Sequence, residues 1–161
     1  MNLIKKGSEL NLKIDSLSYG GKGISRHDGI VIFTNNVLPG QTIKAKIIKK
    51  KKSYLEAIPL EIITESPFKQ KEKCNHFYDC GGCKTQDLDY QEQINQKENQ
   101  IIEALTHLAK INVEKINPII KSDMIYEYRN KMEFSFSNNR WLINNEKGIK
   151  NEKPKDFALG L

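Results

Sequence analysis

Three cysteines stand within one ten-residue stretch, Cys74, Cys80 and Cys83, in the pattern C-x5-C-G-G-C. A thiolate is a soft ligand that suits zinc or iron–sulfur clusters, and close spacing lets one loop present several sulfurs to a common centre. An odd number of cysteines in a tight cluster does not pair off into a disulfide framework, so a reducing compartment and a metal or cluster site are expected. Gly81 and Gly82 remove side-chain bulk and permit positive φ, and backbone N–H groups in such a turn can bond to cluster sulfurs. A closed four-ligand site needs one more group. His76 is a candidate for a Cys3His zinc site, and a ligand beyond Leu161 is the other candidate. The spacing alone leaves zinc, iron–sulfur and three uncoordinated cysteines open. Nothing nearby supplies an evident base and orienter for a nucleophilic cysteine, and no catalytic residue is assigned.

The second chemistry-bearing set is basic. The chain has 161 residues and a formal net charge of +6, with 26 Lys and Arg against 20 Asp and Glu. The excess is uneven: residues 1–66 hold 10 Lys and 1 Arg against 6 acids, and no acid intervenes between Asp28 and Glu56. Coding bias toward lysine raises its count everywhere and does not explain this asymmetry, which points to a polyanion-binding first part. The candidate phosphate contacts are Lys22, Arg26, Lys44, Lys46, Lys49 and Lys51, the last two within the Lys49–Lys52 run. Tyr54, with Tyr19 and Phe33, offers faces on which bases stack. The plain alternatives are a solvated hairpin loop for the lysine run and barrel packing for the aromatics. Farther along, Arg129 and Lys131 are two residues apart and share one face of an expected strand, opposite Met132, Phe134 and Phe136. An exposed strand face paired with Glu133 is the alternative there.

The elements that must position these residues follow from periodicity. Leu10, Leu12 and Ile14 alternate with polar residues, as do Ile43, Ala45 and Ile47 with Lys44 and Lys46. Tyr19-Gly20-Gly21-Lys22-Gly23 reads as a glycine turn, Asp28-Gly29 as a two-residue hairpin turn, and Leu38-Pro39-Gly40 as another turn. About five short strands at this spacing predict a small all-β barrel of the OB-like kind, with an SH3-like barrel as the runner-up. Ser66-Pro67 marks the expected boundary, giving a barrel domain over 1–66 and an incomplete α+β domain with the cysteine loop over 67–161. Residues 88–110 read as one helix capped by Asp87 or Asp89, with Tyr90, Ile94, Ile101, Leu105 and Leu108 near one face. Residues 125–143 read as strand, with Arg140–Ile143 as the hairpin partner across Asn138-Asn139, and the face of Met132, Phe134 and Phe136 is expected to pack on that helix. The fold class is thus mixed.

In this order the residues resemble a known family, the bacterial RNA uracil-C5 methyltransferases that use S-adenosylmethionine, in the iron–sulfur branch that modifies 23S ribosomal RNA. Residues 7–64 are similar to its TRAM domain through Tyr19-Gly20-Gly21-Lys22-Gly23, Asp28-Gly29 before Phe33, and Leu38-Pro39-Gly40. Cys74 to Cys83, followed by Gln86 and Tyr90, resembles its cluster motif, and Tyr128-Arg129-Asn130-Lys131 its central-domain strand. The resemblance implies a 4Fe–4S cluster held by four cysteines, three of them Cys74, Cys80 and Cys83, with the fourth beyond Leu161. It implies RNA, ribosomal RNA in particular, as the partner. It also implies that the methyl-donor pocket and the catalytic residues sit in a further domain outside these residues, so that the chain alone is inactive. The apolar end, Phe157 to Leu161, carries the same expectation of a fragment.

A different class of function stays open beside this one: a stand-alone RNA-binding protein with a structural zinc or iron–sulfur site. A radical methylthiotransferase is disfavoured, because those enzymes use C-x3-C-x2-C and carry the TRAM-like domain last. The longest apolar runs, such as Ile30–Phe33, fall far short of the roughly 20 residues a membrane helix needs, and Met1–Gly7 lacks an apolar signal core. No membrane contact and a cytoplasmic location are expected.

Overall fold

The computed structural model describes residues 4–139 and 156–160. Six strands form one sheet: β1 Glu9–Lys13, β2 Ser16–Leu17, β3 Gly23–His27, β4 Ile30–Thr34, β5 Thr42–Lys50 and β6 Tyr54–Thr64. Their order is β1-β5-β6-β4-β3-β2. The two edge strands, β1 and β2, are one chain segment bent at Ile14-Asp15. Its first half pairs with β5, Leu12 opposite Ile43, and its second half with β3, Leu17 opposite Gly23. At the bend Ile14 donates to Gln41 O at 2.8 Å, and Asp15 donates to Ile24 O at 2.8 Å. The bent segment therefore joins the two ends of the sheet, and the result is the small barrel that the alternation predicts. Three register shifts along β5–β6 supply the extra coiling that closure of a short sheet demands.

Inside, Leu12, Ile14, Ile32, Val37, Ile43, Ala45, Ile47, Leu55 and Ala57 form one core cluster. The β5 alternation holds as read, with Ile43, Ala45 and Ile47 fully buried and Lys44 and Lys46 outside. Asp28 and Gly29 take φ of 48° and 76°, the two left-handed positions of a tight hairpin turn between β3 and β4. Gly23 opens β3 rather than extending the glycine turn. A Cβ there would lie 2.4 Å from Val37 Cγ2, so only glycine lets β3 reach the core at this point.

The helix departs from its expected form. α1 spans Tyr90–Glu103 and continues as a π-helical turn, Ala104–Leu108. Asp89 caps it, its carboxylate accepting from Glu92 N at 3.2 Å. Of the expected apolar face only Ile94 is buried, whereas Ile101 is 51% and Leu108 83% exposed. The buried face is polar. Gln96 Oε1 accepts from Leu17 N at 2.8 Å, and Gln100 Nε2 donates to Leu17 O at 2.9 Å. β2 pairs with β3 on one side only, so its outer backbone groups need partners, and two glutamines of α1 supply them.

Two compact units result, and they divide the chain elsewhere than at 66/67. One runs to Lys71 and resumes over Asp87–Lys121; the other comprises Glu72–Gln86 and the residues from Ser122 onward. The chain does not part at Ser66-Pro67: Ser66 Oγ donates to Pro39 O on the barrel, and Gln70 N donates to Asp87 O at 2.8 Å in the segment that leads into α1. The second unit has one small sheet, β7 Ser135–Ser137 antiparallel to β8 Ala158–Gly160, with Phe136 opposite Leu159. The strand expected over 125–143 thus shortens to three residues among those described, and its expected partner, Arg140–Ile143, lies outside the described residues. Met132, Phe134 and Phe136 are exposed rather than lying on the buried face that the alternation suggested. No helix among the described residues is long and apolar enough to cross a membrane.

Candidate functional site

On the barrel, strand register brings part of the basic set together around two aromatic rings. Arg26 of β3 stands opposite Val31 of β4, and Val31 stands opposite Tyr54 of β6. Lys51, in the turn before β6, donates its N–H to Tyr54 O at 2.9 Å. One step along the same face, Phe33 stands between Ile24 and Glu56. Phe33 and Tyr54 meet edge to face, with ring centroids 5.5 Å apart. Both rings are partly exposed on the outside of the barrel, because Ile32 and Leu55 take the inward positions of their strands. Arg26 therefore shares an outward row with Tyr54 beside Phe33, a cation next to a stacking surface, the combination single-stranded nucleic acid requires, with Lys51 in the turn that leads into Tyr54.

The other lysines are placed differently. Lys44 forms a 2.9 Å ion pair with Glu9 across β1–β5, and Lys49 a 3.3 Å pair with Glu56. The Glu9 carboxylate is held below its ordinary range by its hydrogen bond to Lys44, and the Lys44 ammonium is held above its own by the same bond. Lys46 stands opposite Glu9 on β1 and Ile58 on β6, away from the aromatic row. Lys22 lies at the end of the glycine turn, where its carbonyl accepts from Ser18 N at 2.8 Å. Among the described residues Lys22, Arg26, Lys46 and Lys51 enter no ion pair. Tyr19 is almost wholly exposed beside Gly20 and Gly21, whose positive φ values build the turn.

Arg129 and Lys131 do not form the basic strand face expected of them. Both lie in an irregular, exposed segment of the second unit, and Lys131 is paired with Glu133 at 2.8 Å. Without a ladder there is no two-residue period to set their side chains opposite Met132 and Phe134.

The cysteine loop belongs to the second unit. All three thiols are free, Cys74 and Cys83 exposed and Cys80 partly so. Each sulfur lies within bonding reach of an N–H group. His76 N approaches Cys74 Sγ at 3.4 Å, Gly82 N approaches Cys80 Sγ at 3.4 Å, and Gln86 Nε2 approaches Cys83 Sγ at 3.7 Å. N–H···S contacts of this kind also surround metal-bound sulfur. Phe77 anchors the loop, buried and edge-on to Tyr78 at 4.9 Å. Lys73, at the loop's start, lies 4.7 Å from the centre of the Tyr126 ring. Gly81 and Gly82 are not among the glycines with positive φ, so they contribute small size, and Gly82 an N–H toward Cys80 Sγ, rather than a left-handed turn. Among the described residues no three His, Cys, Asp or Glu side chains stand close enough together to hold a metal ion, and His76 does not complete a set with the cysteines. The residue missed in assigning roles is Gln86. Its signal was its position three residues after the last cysteine.

The TRAM domain model matches residues 4–60, which is the barrel through most of β6. A protein named an uncharacterized RNA methyltransferase from Porphyromonas gingivalis is 38% identical over 135 residues, covering 84% of this chain and 29% of that protein. One of the same name from Bacteroides thetaiotaomicron is 42% identical over 126 residues, 78% of this chain and 28% of its own. A third, from Chlorobaculum tepidum, is 33% identical over 159 residues, 97% of this chain and 33% of its own, a span that takes in the cysteine loop as well as the barrel. The chain thus spans about a third or less of the length of these relatives. A conserved protein of Methanococcus maripaludis solved in solution is 32% identical over 35% of this chain and 81% of its own, with a TM-score of 0.34. Residues 4–60, the barrel through most of β6, match the TRAM domain, and most of the chain is similar to about a third or less of proteins named as RNA methyltransferases.

Proposed function

We propose that this chain is the RNA-holding and cluster-bearing portion of an S-adenosylmethionine-dependent RNA (uracil-C5) methyltransferase that acts on ribosomal RNA, 23S in particular. The observation that carries the RNA reading is the barrel row of Arg26 and Tyr54 beside Phe33, with Lys51 in the turn before Tyr54. Stacked bases lie against the rings while the flanking cations meet phosphates on either side, so binding is tight only where the strand is unpaired. Lys22 and Lys46 extend the basic surface beyond the row. Methyl transfer belongs to the parts of the relatives that this chain does not match.

The donor chemistry of Cys74, Cys80 and Cys83 fits a 4Fe–4S cluster in kind: three soft thiols on one loop, each with an N–H directed at its sulfur. Gathering the sulfurs requires the exposed loop to close further, which its small residues Gly81 and Gly82 allow. When bound, the cluster supplies iron–thiolate bonds that brace a loop with little core of its own. The fourth thiolate is assigned outside residues 1–161.

Affinity for a labelled single-stranded, uridine-containing RNA, measured by fluorescence anisotropy over a salt series, tests the RNA reading. The expected result is a linear fall of log affinity with log salt, with a slope of about −0.7 for each phosphate neutralised and little dependence on sequence. A flat salt response contradicts it.

A further inference from the structure

We infer that Tyr19, in the glycine turn, is a second base-stacking position of the barrel, with Lys22 as its phosphate contact, so that single-stranded RNA runs along the outward face of β3 from the Phe33–Tyr54 pair to the turn. The inference rests on the RNA reading above and deepens it by giving the bound strand a course and a length. β3 alternates: Gly23 and Ser25 are buried, whereas Ile24 is half-buried and Arg26 exposed. Lys22, Ile24 and Arg26 therefore share the outward side. Register sets a cross-strand row at two of them. Arg26 leads through Val31 to Tyr54, and Ile24 stands between Phe33 of β4 and Ser16 of β2. Lys22 follows two residues on, and among its neighbours is Ser18, whose N–H and hydroxyl both donate to its carbonyl. From Arg26 to Lys22 the strand covers about 13 Å, and the turn lies beyond it.

The turn is tied down while its ring is left free. Gly21 N donates to Ser18 O at 2.9 Å, which closes a four-residue turn with Tyr19 and Gly20 at its corners. Gly20 has a φ of 90°, the positive value that the second corner of a type II turn requires. Ser18 N donates to Lys22 O at 2.8 Å, and Ser18 Oγ donates to the same oxygen at 3.1 Å. On this braced backbone Tyr19 is 95% exposed, and its ring belongs to neither apolar cluster of the barrel. Stacking on a base uses a ring face that the fold has not covered, and a turn fixed beforehand lowers the ordering cost of binding. Charge points the same way. Between Asp15 and Asp28 the chain carries Lys22 and Arg26 and no acid. Neither cation enters an ion pair among the described residues. Arg26 and Lys22 thus meet successive parts of one phosphate backbone, with the Phe33–Tyr54 pair and Tyr19 holding bases at its two ends.

The test compares wild type, Tyr19→Ala, Tyr19→Phe and Tyr54→Ala by fluorescence anisotropy at one fixed salt concentration. The probes are labelled oligouridylates of about 4 to about 16 nucleotides, the range of site sizes on a barrel of this kind. Thermal melting confirms that each variant is folded, and the exposure of Tyr19 predicts an unchanged transition for its variants. Tyr19→Ala is expected to bind the longest oligomer roughly fivefold to more than a hundredfold more weakly than wild type. It should bind the shortest as wild type does, because the two-ring pair holds that one. Tyr19→Phe keeps the ring and should match wild type at every length, whereas Tyr54→Ala should weaken binding at every length. If Tyr19→Ala binds all lengths as wild type does while Tyr54→Ala weakens them, the second position is overturned and the RNA reading stands. Equal weakening by Tyr19→Ala at every length, or a loss in Tyr19→Phe as large as in Tyr19→Ala, also overturns it. A folded wild-type chain that binds none of the oligomers overturns the RNA reading, and the role of Tyr19 with it.

Discussion

The barrel and the cysteine-bearing unit are built on opposite terms. The barrel closes around nine buried apolar side chains, and every strand of it contributes either to that core or to its closure. In the second unit only Phe77 and Ala158 are buried among the described residues, while Met124, Phe134, Phe136 and Phe157 are exposed. Its loop is held by backbone turn bonds, by hydrogen bonds to cysteine sulfur and by one glutamine, with Phe77 as its one buried side chain. The difference shows where stability can come from. The barrel pays its ordering entropy with hydrophobic burial, whereas the cysteine loop has little buried apolar area among the described residues, and the proposed cluster would supply the rigidity that packing does not.

Mutations that separate the two units sharpen this contrast. The largest effect is expected inside the barrel: Ile32→Ala removes a fully buried side chain and should cost about 2–5 kcal/mol, read as a fall in denaturant midpoint. Cys80→Ser in the same experiment should leave the barrel transition within about 0.5 kcal/mol of wild type. A matching loss from Cys80→Ser would mean that the cysteine loop and the barrel fold as one.

Next in size is the helix contact. Gln96→Ala strands the N–H of Leu17 and should cost about 1–3 kcal/mol, while amide exchange at Leu17 rises. An unchanged exchange rate would show that α1 does not seal the barrel edge.

The smallest expected effect is on pH. Glu65 is held below the ordinary carboxylate range, first by its hydrogen bond to Lys69 and then by Gln41. A carboxylate depressed in the folded state adds stability that is present above its unfolded pKa and lost as pH falls through the folded one. Glu65→Gln should therefore flatten the acid limb of the barrel's stability profile. The side chain is half exposed, so the change should stay within about 1 kcal/mol.

Legibility in the sequence followed the same divide. Where burial has a period, the reading held: Ile43, Ala45 and Ile47 point inward, and Asp28-Gly29 makes the hairpin turn. The helix was found, but its buried face was misjudged. Apolar spacing predicted contact through Ile101 and Leu108, and the contact runs through Gln96 and Gln100 because an unpaired strand edge needs hydrogen-bond partners more than it needs carbon. Likewise Met132, Phe134 and Phe136 alternate as a strand does, yet alternation says which side chains share a face and not what covers it. Arg129 and Lys131 lost their expected face for that reason. In the candidate site, residue types were readable and grouping was not. Arg26 and Tyr54 come into one row through the parallel pairing of β4 with β6, a long-range contact that no local pattern announces, Lys51 is set by the local turn before Tyr54, and Lys44 and Lys49 are drawn to Glu9 and Glu56.

The central claim is that the Phe33–Tyr54 face of the barrel is where RNA lies. The most direct measurement is the affinity of Tyr54→Ala for single-stranded, uridine-containing RNA against wild type at one fixed salt concentration, with barrel folding confirmed by its melting transition. Loss of a stacked ring predicts a weakening of about 1–3 kcal/mol, roughly fivefold to more than a hundredfold. Wild-type affinity in a folded Tyr54→Ala chain would contradict the account and move the RNA surface elsewhere on the molecule.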